Sequence, residues 1–279
     1  MLAFVLLASR FAIPVEQADV RRCTRYDAAE LAFEPDQYLG WHSNDRRLYL
    51  FAWQAFAEQG QIGSHWAIDR DRVVLFSGMP VPLDRPWVSG RSWADQIAES
   101  IDMSDAGAVA AELGGAFTLL DLHAEGDSIA INDPMGGATL YTYMSESLLI
   151  ISNRANLAAS SAGGRILRDW RGPAWPLYAG EPHGYETGFK GIQAMPPGDW
   201  WHLGWKKRPE RKHRVLEDSL PAGNEIDRIE TALRRSLRSI ASLPFQQCSL
   251  VLDGGKASRL LLGLLHAENL LDRVALTVQ

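Results

Sequence analysis

The sequence predicts two fold classes in succession: an α+β part built on antiparallel strands, then the opening of an α/β part with a parallel strand pair. Three observations carry this. Short apolar runs separated by Gly- and Asp-containing turns recur from Leu2 to Leu203. A polar stretch with Pro209, Pro221 and Gly223 follows over residues 206–223. Beyond it stand an apolar stripe at helical spacing, an apolar strand, a Gly-Gly turn, a second helix and a second strand.

The bulk numbers bound the reading. A chain of 279 residues holds one large or two ordinary domains with real cores. With 46% hydrophobic and 22% charged residues the composition is globular. The net charge of −6 disfavours non-specific nucleic-acid binding. Lys206-Lys207-Arg208 and Arg211-Lys212 read as a solvated linker. Cys23 and Cys248 lack metal-ligand spacing, and Cys248 reads as a buried thiol, so a reducing, cytoplasmic setting is expected. The apolar start, Met1 to Ser9, lacks the positive flank of a signal peptide, and no run reaches transmembrane length. No membrane partner is expected.

Each element follows from its residues. Residues 2–8 form a buried first strand, and Leu48 to Phe56 a second. Ser64–Ile68 and Arg72–Phe76 make a hairpin around Asp69-Arg70-Asp71. Ser104 caps a short helix through Leu113, with Ala106, Val109 and Ala110 on its apolar face. Glu112 to Asp121 is a helix end, a glycine turn and a strand; Ser128 to Asn132 returns. Asp133-Pro134-Met135-Gly136-Gly137 turns into a strand over Thr139–Tyr143, followed by Leu148–Ser152 and a helix opening at Asn153-Arg154. Asp133 reads as a turn-fixing acceptor and Arg154 as a tie to the sheet edge, rather than as catalytic groups. Met195-Pro196-Pro197-Gly198 is a rigid loop. Trp200, Trp201 and Trp205 make an edge strand; a base-stacking platform, the other use of tryptophans, conflicts with the charge.

The boundary falls within residues 206–223. Asn224 then caps a helix whose stripe is Ile226, Ile229, Leu233, Leu237, Ile240 and Leu243. That helix is expected to pack on a sheet, with Arg234, Arg235 and Arg238 in solvent. Cys248–Leu252 is a strand, Gly254-Gly255 a tight turn, Ser258–Glu268 a helix and Val274–Val278 a parallel strand, a right-handed βαβ unit. Two glycines free the backbone amides, and a helix N-terminus adds unpaired N–H groups and a positive dipole end. The turn is therefore a place for phosphate, against the plain alternative of a βα connection. The chain stops at Gln279, at the carboxyl end of the second parallel strand, where such sheets place ligands. Two parallel strands cannot cover both their faces, so the sequence reads as a fragment of a longer chain.

Asp253-Gly254-Gly255-Lys256-Ala257-Ser258 resembles the Ser-Gly-Gly-x-Asp-Ser pyrophosphate loop of the asparagine synthetase family. It matches at both glycines and the final serine, and departs at Asp253 and Ala257. Lys256 to Arg259 is most similar to the lasso-peptide macrolactam cyclases of that family. The strand order of residues 1–210, with Gly184-Tyr-Glu-Thr-Gly-Phe-Lys-Gly-Ile192 and Met195-Pro-Pro-Gly198, resembles the family's N-terminal domain. The resemblance implies an Ntn-hydrolase-like αββα sandwich of the class II glutamine amidotransferase type over 1–210. It implies, over 222–279, the truncated start of an ATP-binding, adenine nucleotide α-hydrolase-like synthetase domain. The family's glutaminase cysteine is replaced by Leu2, and its Asn-Gly-Glu by Ser77-Gly78-Met79, so glutamine hydrolysis is excluded at this end.

By resemblance, the activity is ATP-dependent, AMP-forming carbon–nitrogen ligation. A carboxylate is adenylated, pyrophosphate leaves, and an amine attacks. ATP and Mg2+ are the implied cofactors. Gly254, Gly255, Lys256 and Ser258 would grip pyrophosphate beside Asp253, Leu252 and Val278 would line the adenine–ribose cleft, and Ala257 stands where the family has a magnesium ligand. The implied partners are a precursor peptide, a leader-binding protein, a protease and the missing C-terminal synthetase segment. The alternatives are an asparagine-synthetase-like or β-lactam-synthetase-like small-molecule ligase, and a catalytically dead scaffold.

Overall fold

A computed structural model describes residues 1–55, 64–83, 88, 92–100, 109, 112–163, 168–169, 185–213, 225–243 and 248–278. In chain order it runs β1 (Leu2–Ser9), α1 (Gln17–Arg22), α2 (Ala28–Leu31), β2 (Gln37–His42), β3 (Leu48–Gln54), β4 (Trp66–Asp69) and β5 (Arg72–Gly78). Then come β6 (Val81–Pro82), α3 (Trp93–Ser100), β7 (Leu113–Gly114), β8 (Phe117–His123), β9 (Ser128–Asn132), β10 (Tyr141–Met144), β11 (Leu148–Ser152) and α4 (Ala155–Ser161). The last elements are β12 (Ile192–Ala194), β13 (Trp200–Leu203), β14 (Glu210–Lys212), α5 (Glu225–Ser242), β15 (Cys248–Leu252), α6 (Lys256–Ala267) and β16 (Val274–Val278).

Two antiparallel sheets of six strands form the body, ordered β12-β10-β11-β1-β3-β2 and β14-β13-β9-β8-β5-β4. Strand β1 shows why they pack. Leu2, Phe4, Leu6 and Ala8 join Leu75, Leu120, Leu122 and Leu203 of the other sheet in the central core. Ala3, Val5 and Leu7, on the opposite face, join Leu31 of α2 and Leu157 and Ala158 of α4. All eight residues of β1 are buried. Antiparallel strands usually alternate apolar and polar residues; this one is covered on both faces and reads as a continuous apolar run. The second sheet repeats the logic: Val74, Phe76, Leu119 and Ile131 turn outward to Trp93, Ala94 and Ile97 of α3. The result is the expected four-layer αββα sandwich.

The turns follow from named residues. Asp133 is fully buried, and its carboxylate accepts from the amides of Met135 (2.9 Å), Gly137 (3.1 Å) and Ala138 (2.8 Å). This is the turn-fixing role read for it, and it explains a shift: the backbone is held as far as Ala138, so β10 begins at Tyr141 rather than Thr139. Gly78 (φ +82°) and Gly115 (φ +89°) meet where β5 leaves the sheet; a Cβ would lie 2.2 Å from the Ala116 carbonyl or 2.1 Å from that of Met79. Arg154 donates to the Leu31 carbonyl and sits 5.2 Å from the Phe33 ring centre, so it ties α4 to the end of α2.

Five expectations are corrected. The tryptophan strand is not an edge: β14 pairs outside β13, so strand pairing reaches Lys212, and Trp205 lies beyond β13 in a turn. The basic stretch is therefore partly an exposed strand rather than a linker. It forms because Arg211 and His213 reach the buried Asp199 carboxylate at 3.4 and 2.9 Å. The stripe of α5 packs only at its C-terminal end: Ile226 and Ile229 are 79% and 60% exposed, while Leu243 joins the outer core and the Ser239 hydroxyl donates to the Leu83 carbonyl. Arg234 and Arg238 are not simply solvated; both hold Glu268, just past α6. Cys248 is half-buried, because among the described residues β15 has one strand beside it. The 104–113 helix and the Asn224 cap lie largely or wholly outside the described residues. No described helix is long and apolar enough to cross a membrane.

Candidate functional site

Two places bear on chemistry. The first is the start of β1. Leu2 is 6% exposed, and its carbonyl accepts from Asn153 Nδ2 at 3.0 Å. The same amide nitrogen donates to Ser77 Oγ at 3.0 Å, while Asn153 Oδ1 accepts from the Phe4 amide at 3.0 Å. Leu2 and Ser77 thus converge on one side chain. A leucine offers no nucleophile, and the hydroxyl of Ser77 is held by Asn153. Sequence reading took Asn153 only as a helix start; a carboxamide just past the buried strand Leu148–Ser152 was the signal of a bridging role.

His65 stands close by. Its amide donates to Gln54 Oε1 at 3.0 Å, its ring centre lies 5.1 Å from that of Phe76, and Nδ1 is buried without a partner among the described residues. Burial, reinforced by the Met1 ammonium, lowers its pKa to about 4. The imidazole is therefore neutral at physiological pH.

The second place is the turn between β15 and α6. The two strands pair in parallel, Cys248 with Val274 through Leu252 with Val278, so Leu252 and Val278 end side by side as read. Gly254 has φ +76° and open space where a Cβ would stand. Gly255 is the helix N-cap and brings no capping side chain of its own. Helix α6 starts at Lys256, two residues before the expected Ser258, with Asp253 holding the N-cap amide. Its Oδ1 accepts from the Gly255 amide at 2.9 Å and from Ser258 Oγ at 2.6 Å. Ser258 also reaches the Gly255 carbonyl at 3.2 Å. Those two hydrogen bonds, Ser258 first, hold the Asp253 carboxyl below the usual carboxylate range.

This arrangement tests the fit to a phosphate. The donors of the turn already surround an oxyanion, and the chain's own carboxylate is the stand-in. Both donors are thus occupied by the chain's own Asp253, and only with Asp253 turned aside are they open to another oxyanion. The fit to magnesium fails: Ala257 has no oxygen to offer, and among the described residues no three acidic, His or Cys side chains gather to hold a metal.

No family model matches the chain, and no curated protein does. Among solved structures the chain is similar to a glutamine phosphoribosylpyrophosphate amidotransferase from B. subtilis complexed with ADP and GMP. That match has a TM-score of 0.38 and 10% identity, over 99% of this chain and 59% of that one. It is also similar to a structure described as the allosteric regulatory enzyme of purine biosynthesis, with a TM-score of 0.47 and 8% identity, over 100% of this chain and 65% of that one. The chain thus spans less than two thirds of either. The sandwich stands on the pairing and burial given above.

Proposed function

We propose that the chain belongs to an ATP-dependent, amide-forming ligase of the asparagine synthetase type, in the manner of the lasso-peptide cyclases. On this reading the sandwich is a retained scaffold with no glutaminase activity. The observation that carries it is the oxyanion seat of Gly255 and Ser258, at the carboxyl end of a parallel strand pair. ATP, when bound, would supply the pyrophosphate leaving group that activates a carboxylate. The chain's part is to grip. With Asp253 rotated out, the Gly255 amide and the Ser258 hydroxyl donate to a phosphate oxygen in its place. Gly254, with no side chain and a left-handed φ, leaves room for close approach, and Lys256 adds positive charge at the mouth. No metal step is assigned to these residues.

The substrate reading is a peptide carrying an Asp or Glu side chain, condensed with its own N-terminal amine. Pyrophosphate release that depends on such a peptide, and not on a free amino acid, supports it. Ala257→Asp returns a carboxylate to the turn and is expected to raise release by roughly 10²-fold, the size of one lost charge-stabilising contact. Equal release from both forms rules out position 257 as a metal-binding one. A second reading, a scaffold without nucleotide chemistry, is favoured by the same Asp253, which consumes both donors. It holds if neither this chain nor its Asp253→Ser variant takes up ATP.

A further inference from the structure

The two six-stranded sheets end in the outer strands β2, β4, β12 and β14. An outer strand presents unpaired N–H and C=O groups to any passing chain, and proteins blunt it with charge, shortness or a covering segment. Three of these strands are treated in that way. β14 is Glu210-Arg211-Lys212, charged and exposed throughout. β12 is covered by a bridge between Gln193 and Glu186. β4 has four residues, and Ser64 Oγ takes both main-chain groups of Trp66, accepting from its amide at 3.2 Å and donating to its carbonyl at 2.8 Å.

β2 has none of these devices. It runs Gln37-Tyr38-Leu39-Gly40-Trp41-His42, with no Asp, Glu, Lys, Arg or Pro. It pairs with β3 along its whole length, Gln37 with Gln54 through His42 with Tyr49. The Ser43 amide then donates to the Leu48 carbonyl at 3.0 Å, which sets the alternation. Leu39 and Trp41 turn their main-chain groups to β3, and those of Tyr38, Gly40 and His42 turn to the open edge. Among the described residues no strand pairs with that edge. The side chains beside it are apolar or aromatic. Leu39 lies in the central core, with Trp41 packed against it. On the other face Tyr38 and His42 lean on Trp53 and Tyr49, at ring-centre distances of 5.8 and 5.5 Å. Tyr38 is 54% exposed and lies over Gly40, where a Cβ would stand 3.0 Å from its hydroxyl.

We infer that β2 is the surface through which two copies of this chain associate, edge to edge and antiparallel, about a two-fold axis at Gly40. In that register Tyr38 of one copy stands opposite His42 of the other, and Gly40 opposite Gly40. All three outward-facing residues then meet outward-facing residues and exchange main-chain hydrogen bonds. Leu39 meets Trp41 on the core face, and the two Tyr38 rings come side by side across the axis. Charge selects the direction. Glu34 and Asp36 precede the strand and Arg46 follows it, while Asp45 is committed to Ser43 Oγ and the Arg47 amide. Antiparallel pairing sets the acidic end of one copy beside the basic end of the other; parallel pairing would set like beside like.

Sedimentation equilibrium tests the association. The average mass of the wild-type chain should rise with concentration from one chain towards two. Gly40→Lys, which places two ammonium groups face to face at the axis, should hold it at one. A wild type that stays at one chain at every concentration leaves the edge to some other protein and overturns the inference, as does a Gly40→Lys variant that associates like the wild type. Disulfide trapping tests the register. Directly opposite residues in such pairs have Cα atoms about 5.5 Å apart, within reach of a disulfide. Under mild oxidation Gly40→Cys should crosslink to itself, beyond the level set by the native Cys23 and Cys248 in the wild type. Tyr38→Cys should not, since its two copies lie roughly 14 Å out of line, but it should crosslink when mixed with His42→Cys. Crosslinking of Tyr38→Cys to itself, or none in any of these samples, overturns the proposal. If Gly40→Lys does not fold, the crosslinks decide.

Discussion

Strands β1 and β15 are both apolar in sequence, yet they are held in different ways. Every residue of β1 is buried, sealed by the other sheet on one face and by helices on the other. In β15 no residue is fully buried, and Val251 is 43% exposed; in its partner β16, Leu276 and Val278 are 48% and 80% exposed. The first region is stabilised by packed area. The second leans on polar links, chiefly Glu268 to Arg234 and Arg238, and on the contact of Ser239 with Leu83. The difference teaches that a sandwich covered on both faces of its sheet is held by packing, whereas a two-stranded unit with open faces relies on polar contacts. In the loosely covered unit the turn is held locally, by Asp253 accepting from Gly255 and Ser258.

The sharpest way to break that contrast is to remove matched apolar side chains. Phe4→Ala should cost about 3–5 kcal/mol in denaturant unfolding, because the vacated volume lies between two sheets. Val251→Ala should cost less than about 1 kcal/mol, since much of that side chain already meets water. Comparable losses would show that the second region is packed as tightly as the first.

A second test lies within the sandwich. The His65 pKa is lowered from 6.5 to about 4, so the unfolded chain binds the proton first as pH falls. The stabilisation of the neutral form is complete above pH 6.5 and is lost as pH drops through 4, by about 3 kcal/mol in total. His65→Phe should flatten stability across that window. An unchanged pH profile in the variant would mean that the ring is solvated.

The smallest effect concerns the polar links. The carboxyl of Glu268 is held at about 2 by Arg238 and then Arg234, so its contribution is present above pH 4.5 and lost as pH falls through 2. Glu268→Gln at pH 7 should reduce amide-exchange protection in α5 and α6 while leaving β1 and β3 unchanged. Loss of protection in both regions would contradict the independence of the sandwich.

Much of this was legible in the sequence because local pattern and burial agreed. The run Leu2–Ala8, the hairpin around Arg70, the Asp133 turn and the βαβ unit all formed where the residues required. The sequence could not reveal what depends on partners distant along the chain. Glu210–Lys212 is too polar and short to read as a strand, and becomes one through β13 and Asp199. The arginines of α5 read as solvated because Glu268, 30 and 34 residues on, was invisible to a helical stripe. In the candidate site the Gly-Gly turn was clear, but the capture of its donors by Asp253 was not. That depends on a rotamer, and the sequence shows only a substitution.

The central claim is that the chain's nucleotide-facing chemistry resides in the turn between β15 and α6 and is absent from the start of β1. Titration of ATP into the ¹⁵N-labelled chain, read by amide shifts in the wild type and in Asp253→Ser, addresses it most directly. The account predicts shifts at Gly254, Gly255, Lys256 and Ser258, reached at lower ATP concentration in the variant, with Leu2, Ser77 and Asn153 unmoved. Shifts centred on Leu2 and Ser77, or binding weakened by Asp253→Ser, would contradict it.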